Sequence, residues 1–380
     1  MREIIRKLIF VFIIFLSGLS LSPPANGKVE IDISPHFNME VTYTDNIGFT
    51  ADTSSDFSQG DFYALVVPGV ALGIPNRLLD FKADYSYYYY RYAKYSSKNR
   101  GYHDVDLEVG RTLAIFKNVN LEFGDKYEFV PVNINLPEDL PDNQAQRNRF
   151  YLRPSWIKSL NRRNQLEARY EFDRVDYTGS GRTNGQNYSA HYFHGGWENV
   201  TTRWFHFSLN GGYQITDYDT LPTYTQFTPE AGISVAIVKN LTFVSRVGYF
   251  LENVNFDQEG NLAYFFSAAY NRAEKLKVKA AFKRERNLDI EGRLFTEDRY
   301  ELSYFYRPRK KLGFDGYIRY NEYLHPDEKI KMFEARFAVI YYLSRKIDLR
   351  GGYVYNKRFK TFSEEEASSN RFYLGIAVVL

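Results

Sequence analysis

The chain has no cysteine. That excludes a disulfide framework, a thiolate metal site and lipid attachment through a cysteine. It also lacks long apolar runs, except one near its start. A mean hydropathy of −0.46 is too polar for a bundle of membrane helices. Neither sign of charge dominates: 49 Lys+Arg against 46 Asp+Glu leave 49 − 46 = +3, which argues against a nucleic-acid binder. No G-x-S-x-G, P-loop or H-E-x-x-H occurs, so no catalytic or cofactor signature is legible.

Aromatic rings are abundant instead. They make up 18% of residues, with 33 Tyr and 31 Phe but only 3 Trp. Such a load argues for an ordered chain. The single apolar run, Leu8 to Leu16, follows Arg2, Arg6 and Lys7 and precedes Pro23-Pro24. Small residues in Ala25-Asn26-Gly27 then suit cleavage before Lys28. Residues 1–27 read as a secretory signal, too short to span a bilayer comfortably. Removing three bases and one acid leaves (49 − 3) − (46 − 1) = +1 for residues 28–380.

Those residues show one rhythm throughout. In Leu79 to Tyr87 every odd position is apolar or aromatic and every even position is polar. Successive side chains of a strand point to opposite faces, so one face is greasy and the other charged. Phe205 to Ile215, Leu241 to Leu251, Leu312 to Tyr320, Phe333 to Tyr341 and Phe372 to Leu380 repeat the pattern. Eight short turns alternate with nine long loops, and seventeen connections join eighteen strands. The expectation is all-β: one closed antiparallel transmembrane β-barrel, porin-like, over residues 28–380, with short turns periplasmic and long loops outside. Asn187 to Arg203, blurred by Gly195-Gly196, is where that count is most exposed to error. The short turns carry Arg77, Lys117, Arg162, Arg163, Lys239, Arg272, Lys275, Arg307, Arg309, Lys310, Lys311, Arg345 and Lys346, with Glu274 the one acid.

Rings gather at strand ends, as membrane girdles require. Tyr43, Tyr89, Tyr127, Tyr177, Tyr213, Tyr249, Tyr320 and Tyr355 lie near loop ends. Trp156, Phe205, Phe243, Tyr306, Phe314 and Tyr341 lie near turn ends. His191 and His194, three apart on one strand, face opposite sides and share no metal. The loop Val130 to Asn148, with Pro131, Pro137 and Pro141, is the longest and is a candidate to fold into or over the lumen.

Two stretches, Val41-Thr42-Tyr43-Thr44-Asp45-Asn46-Ile47 and Ser55-Asp56-Phe57 through Val67-Pro68-Gly69-Val70-Ala71-Leu72, resemble the start of the β-barrel porin 2 family. Its members are bacterial outer-membrane proteins often associated with exopolysaccharide loci. The resemblance implies that location and architecture, with exopolysaccharide or its export proteins as partners. The closing strand resembles the signal read by the barrel-assembly machinery, although Leu380 stands where Phe is usual. Outer-membrane lipid is the implied surrounding; no nucleic acid, cofactor or metal is implied. Three functions stay open: a pore for small hydrophilic solutes, a conduit or accessory for exopolysaccharide export, and a rim-active enzyme or adhesion scaffold.

For a pore, the polar phase supplies the lining. Asp84, Asp106, Glu108 and Glu122 are candidates on strands three to five, with Asp80, Asp104 and Glu128 beside them. Arg246, Lys279, Arg319, Arg336 and Arg350 are candidates on strands eleven to seventeen. Glu108, Arg319 and Arg336 are expected at similar mid-height. An acidic wall would then face a basic one across the lumen, unless neighbouring ion pairs satisfy these charges locally.

Overall fold

The computed structural model describes residues 31–46, 60–75, 80–112, 118–131, 144–178, 186–253, 262–272, 275–288, 292–325, 328–361 and 365–379. Residues 1–27, expected as a secretory signal, and residues 132–143 of the long loop lie outside the described residues, as does the Ser55-Asp56-Phe57 stretch.

Backbone amides and carbonyls in lipid must find partners within the chain, and only helices and closed sheets achieve this. The described chain takes the second solution. Its first strands are β1 (Asp32–Thr44), β2 (Asp61–Ile74), β3 (Asp80–Tyr92), β4 (Arg100–Thr112), β5 (Val119–Pro131) and β6 (Gln144–Ser159). Next come β7 (Asn164–Thr178), β8 (Tyr188–Thr202), β9 (Phe205–Tyr218), β10 (Tyr224–Val238), β11 (Leu241–Tyr249) and β12 (Leu251–Glu252). The rest are β13 (Leu262–Arg272), β14 (Leu276–Leu288), β15 (Leu294–Arg309), β16 (Leu312–Leu324), β17 (Lys329–Tyr342), β18 (Ile347–Lys360) and β19 (Glu366–Val379). β11 and β12 both pair with β10 and form one stave interrupted at Phe250. Nineteen segments therefore make 19 − 1 = 18 staves, each antiparallel to its neighbours. β1 pairs with β19 from His36↔Val379 to Thr44↔Arg371, which closes the ring. β8 is a single strand through Gly195-Gly196, so the expected count of eighteen holds.

The register carries the period-two pattern around the whole ring. Val41 lies opposite Leu374 and Ala64; Ile318 lies opposite Leu302 and Ala335. This phase is exposed in the isolated chain: Leu374 is 67% and Ile318 49% accessible. It is the outward, apolar phase. Girdle rings belong to it, including Tyr300 beside Tyr320 at 5.8 Å near loop ends and Tyr306 beside Phe314 at 6.3 Å near turn ends. Tyr177 is a correction. It shares the inward phase with Asp173 and Val175, because Arg174 and Asp176 hold the outward positions there.

Ion pairs stand just above the upper rings on the outer face. Arg284 meets Asp298 at 2.5 Å, Lys329 meets Glu322 at 2.5 Å and Lys357 meets Glu366 at 2.7 Å. Short connections use local side-chain acceptors. Asn161 Oδ1 accepts the Arg163 and Asn164 amides, and Thr202 Oγ1 accepts those of Trp204 and Phe205. Asn118, in the β4–β5 turn, takes φ 72°, a left-handed conformation that Asn tolerates.

Some glycines are required by packing. Tyr151 lies over Gly124, its register partner on β5, and Tyr373 lies over Gly352 in the same way. A Cβ on Gly124 would fall 2.3 Å from the Leu107 carbonyl oxygen and 2.5 Å from the Tyr151 hydroxyl, whereas Gly195 has nothing within 4 Å. Gly124→Ala should therefore cost about 1–3 kcal/mol by overpacking, and Gly195→Ala close to nothing. The temperature at which the folded barrel loses its compact gel mobility measures both. Equal values for the two variants would contradict the packing account.

Candidate functional site: the inner wall

The inward phase is polar on nearly every stave, and its burial is graded. On β1 the inward residues Asp32, at the turn end, and Asn38, at mid-strand, are exposed, while Thr42 and Thr44 are 2% and 3% exposed near the loop end. The same gradient appears on β3, from Lys82 to buried Tyr90 and Tyr92, and on β18, from Arg350 to buried Asn356 and Arg358. Inward side chains are thus accessible toward the turn end, and clustered and buried toward the loop end. Tyr63, Tyr90, Tyr92 and Tyr102 pack as one such cluster, with the Tyr102 hydroxyl donating to Tyr90 at 3.2 Å. Asp61, 1% exposed, accepts the backbone amides of Phe62, Lys94 and Tyr95 and ties the β3–β4 loop to this rim.

All nine residues singled out in the sequence stand in the inward phase. Asp84 faces Asp106 in register, and Glu108 faces Lys82. Glu122 faces Arg153. Arg246 lies opposite Gly232, and Lys279 lies between Ala269 and Ser303. Arg319 lies between Glu301 and Glu334, Arg336 between Tyr317 and Val354, and Arg350 between Ile340 and Gly375. Their heights differ from expectation. Glu108 lies four positions from the end of β4, whereas Arg319 lies seven from the start of β16, so Glu108 sits nearer the turn end.

Many of these charges are met by neighbours. Lys82 pairs with Glu108 at 3.0 Å, Arg153 with Glu122 at 3.0 Å and Lys126 with Glu128 at 2.6 Å. Arg319 bridges Glu301 at 3.3 Å and Glu334 at 3.8 Å, Arg350 holds Asp348 at 2.7 Å, and Arg246 reaches Glu230 at 3.9 Å. Asp84, Asp104, Asp106, Lys277, Lys279 and Arg336 are among the inward groups with no ion-pair partner within 4 Å among the described residues, as are Glu40 on β1, Arg169 on β7 and Asp315 on β16. Arg336 instead lies 5.5 Å from the Tyr373 ring centre. Asp104 and Asp106 are on β4, and Lys277 and Lys279 are on β14. In the ring order β4 and β14 are nine staves apart in either direction, half the circumference of an eighteen-stave ring. The Asp104–Asp106 pair and the Lys277–Lys279 pair therefore lie on facing walls, whereas Arg336 on β17 and Asp315 on β16 stand between them.

An arginine row was not singled out from the sequence. Arg147, Arg149 and Arg153 project inward from β6, alternating with outward Asn148, Phe150 and Leu152. Arg147 pairs with Glu128; Arg149 reaches Asp173 at 2.7 Å and Glu171 at 2.9 Å; Arg153 reaches Glu171 at 2.9 Å. The period-two signal is in the sequence, but the adjoining proline-rich loop draws attention from it. At the turn end, Lys275, Arg307, Arg309, Lys310, Lys311 and Arg345 border a hollow of about 890 Å³ with Tyr342. Arg307 stacks 4.4 Å from the Tyr342 ring centre and donates to the Lys310 carbonyl at 2.6 Å. These bases extend the Lys277–Lys279 wall to the mouth.

On β7 to β10 the inward positions form rows. One runs Glu171–Tyr192–Gln214–Gln226, and the next runs Arg169–His194–Gly212–Thr228. They border a hollow of about 370 Å³. His194 belongs to this row, whereas His191 is outward, its Nδ1 2.8 Å from the Tyr170 hydroxyl. The two histidines do face opposite sides.

No family model matches the chain, and no curated protein matches it. Solved structures resemble it loosely. OccAB3 of Acinetobacter baumannii shares 13% identity, covering 92% of this chain and 99% of that one, with a TM-score of 0.48. OprD of Pseudomonas aeruginosa shares 13%, covering 94% and 98%, with a TM-score of 0.48. A BenF-like porin from Pseudomonas fluorescens Pf-5 shares 11%, covering 93% and 100%, with a TM-score of 0.49. The barrel rests on this chain's own strand register, not on these likenesses.

In a conducting lumen the unpaired charges would set the direction of ion selectivity. A unit charge about 8 Å from an ion's path in water contributes about 0.5 kcal/mol, roughly a factor of two. Removing Lys277, Lys279 and Arg336 together (to Gln, Gln and Ala) should shift the reversal potential in a salt gradient toward cations. Asp104→Asn with Asp106→Asn should shift it toward anions. Arg319→Ala should also favour cations, since it releases Glu301 and Glu334. A conducting channel unmoved by the first two changes would place these groups away from the ion path.

Proposed function

We propose that the chain is a porin-like channel of a bacterial outer membrane that passes small hydrophilic solutes. The observation that carries this reading is the closed ring of eighteen staves with an apolar, ring-girdled outside and a charged inside. A soluble sandwich would bury its apolar faces against each other, whereas here Leu374, Ile318 and Phe372 stand exposed on one continuous outer band. A ring of this size is wide enough for an aqueous lumen. The alternation of short and long connections orients the turn end to the periplasm. The resemblance of Val41 to Ile47 to β-barrel porin 2 sequences supports the same class.

The graded burial makes the pathway asymmetric: inward groups are accessible at the periplasmic end, with bases to one side, and packed together near the outside. Uptake should therefore be sharply size-limited. Proteoliposomes swollen in sugars of increasing mass should show rates that fall steeply beyond a disaccharide. A folded, inserted barrel that supports no swelling with any sugar, and no ion current, would remove the channel reading.

A further inference from the structure

The hollow on β7 to β10 is shaped by an absence of side chain at its floor. Gly212 stands between His194 and Thr228 in register, and a Cβ there would meet nothing within 4 Å. The row toward the loop end places Tyr192, Gln214 and Gln226 on successive staves. Staves lie about 4.8 Å apart and inward rows about 6.7 Å apart, so these groups span a patch about one to two sugar rings wide. The hollow, about 370 Å³, falls within the range of small-molecule sites.

Its chemistry is mostly uncharged and two-sided. Amides, a hydroxyl, a phenol and an imidazole each both donate and accept, as a ligand bearing many hydroxyls requires. The Tyr192 ring offers an apolar surface for the C–H face of such a ligand. Gln214 is held in place, its Nε2 donating to Thr216 Oγ1 at 3.0 Å. Local charge nearly cancels: Arg149, Arg153 and Arg169 stand against Glu122, Glu167, Glu171 and Asp173, with Arg149 and Arg153 each 2.9 Å from the Glu171 carboxylate. Little net field is left to favour an ion of either sign.

We propose that this hollow is a binding site for an uncharged saccharide of one or two rings crossing the lumen. It deepens the channel reading and rests on it, by naming a class of solute that pauses on the wall. The site adjoins the arginine row through Glu171 but differs from it in chemistry, and it lies on other staves than the Asp104 and Lys279 walls.

The test uses the full chain folded in detergent, titrated in a calorimeter with maltose, glucuronate and arginine. Planar bilayers with maltose added to the bath give a second readout. Maltose should give saturable heat and reversible current interruptions, while glucuronate and arginine give neither. Tyr192→Ala should weaken maltose binding about tenfold or more. Gly212→Leu should do the same by filling the floor without touching any polar group. Compact gel mobility at low temperature confirms that each variant is folded. A conducting wild type with no maltose heat and no interruptions would overturn the site and leave the channel standing. Maltose heat without any conductance would do the reverse. Tighter binding of glucuronate or arginine, or folded variants that bind maltose like the wild type, would also overturn it.

Discussion

The pairing of β1 with β19 is the constraint on which everything else depends. A peptide group in hydrocarbon without a hydrogen-bond partner costs several kcal/mol. An open eighteen-stave sheet would carry two unpaired edges through the membrane. The seam from His36↔Val379 to Thr44↔Arg371 removes both. At its loop end it is fastened by side chains as well. Thr44 Oγ1 lies 3.1 Å from Ser369 Oγ, and Asp45 accepts from both the backbone and side-chain nitrogens of Asn370. Once the ring is closed, the two strand faces become an inside and an outside. Every charge in the even or odd phase is assigned to water or lipid by that single event.

The inner wall then follows from how closely charges can be placed on neighbouring staves. Where acid and base meet in register, as at Arg319 with Glu301 and Glu334, they neutralise each other and stiffen the wall. Where like charges meet, as at Asp84 and Asp106, the field is left for a passing ion. The lumen therefore combines neutral, cross-linked stretches with uncompensated groups, of which those on β4 and β14 face each other. The first maintain its shape, and the second would act on an ion in the lumen, where low-dielectric walls concentrate the field.

Much of this was legible in the sequence because a strand's period is two and a barrel has no edge strand to break the pattern. Leu79 to Tyr87 already separates lipid from water, and the nine wall residues share the inward phase for that reason. What was not legible depends on register across several staves. Pairing partners such as Glu334 for Arg319 are distant in sequence, so local neutralisation could not be read from position. Tyr177 stands near a strand end, as a girdle ring would, but its odd position puts it in the inward phase. The Gly212 hollow has no linear signal at all. It exists because β7 to β10 bring Arg169, His194 and Thr228 beside one glycine.

The outer band has a consequence for where the protein can reside. On β17 the apolar outward residues run from Phe333 to Tyr341, bounded by Lys331 above and the Ser344-Arg345-Lys346 turn below. Eight positions at about 3.3 Å each, tilted by about 40°, span roughly 20 Å. Typical bilayers have hydrocarbon cores near 30 Å, and outer membranes are thinner than average. In a thicker host the ion pairs above Tyr300 and Tyr320 would be drawn into the acyl region, and the bilayer would have to compress around the whole circumference. The barrel thus carries in its girth a preference for a thin membrane, a sorting signal written as a length and read by lipid elasticity.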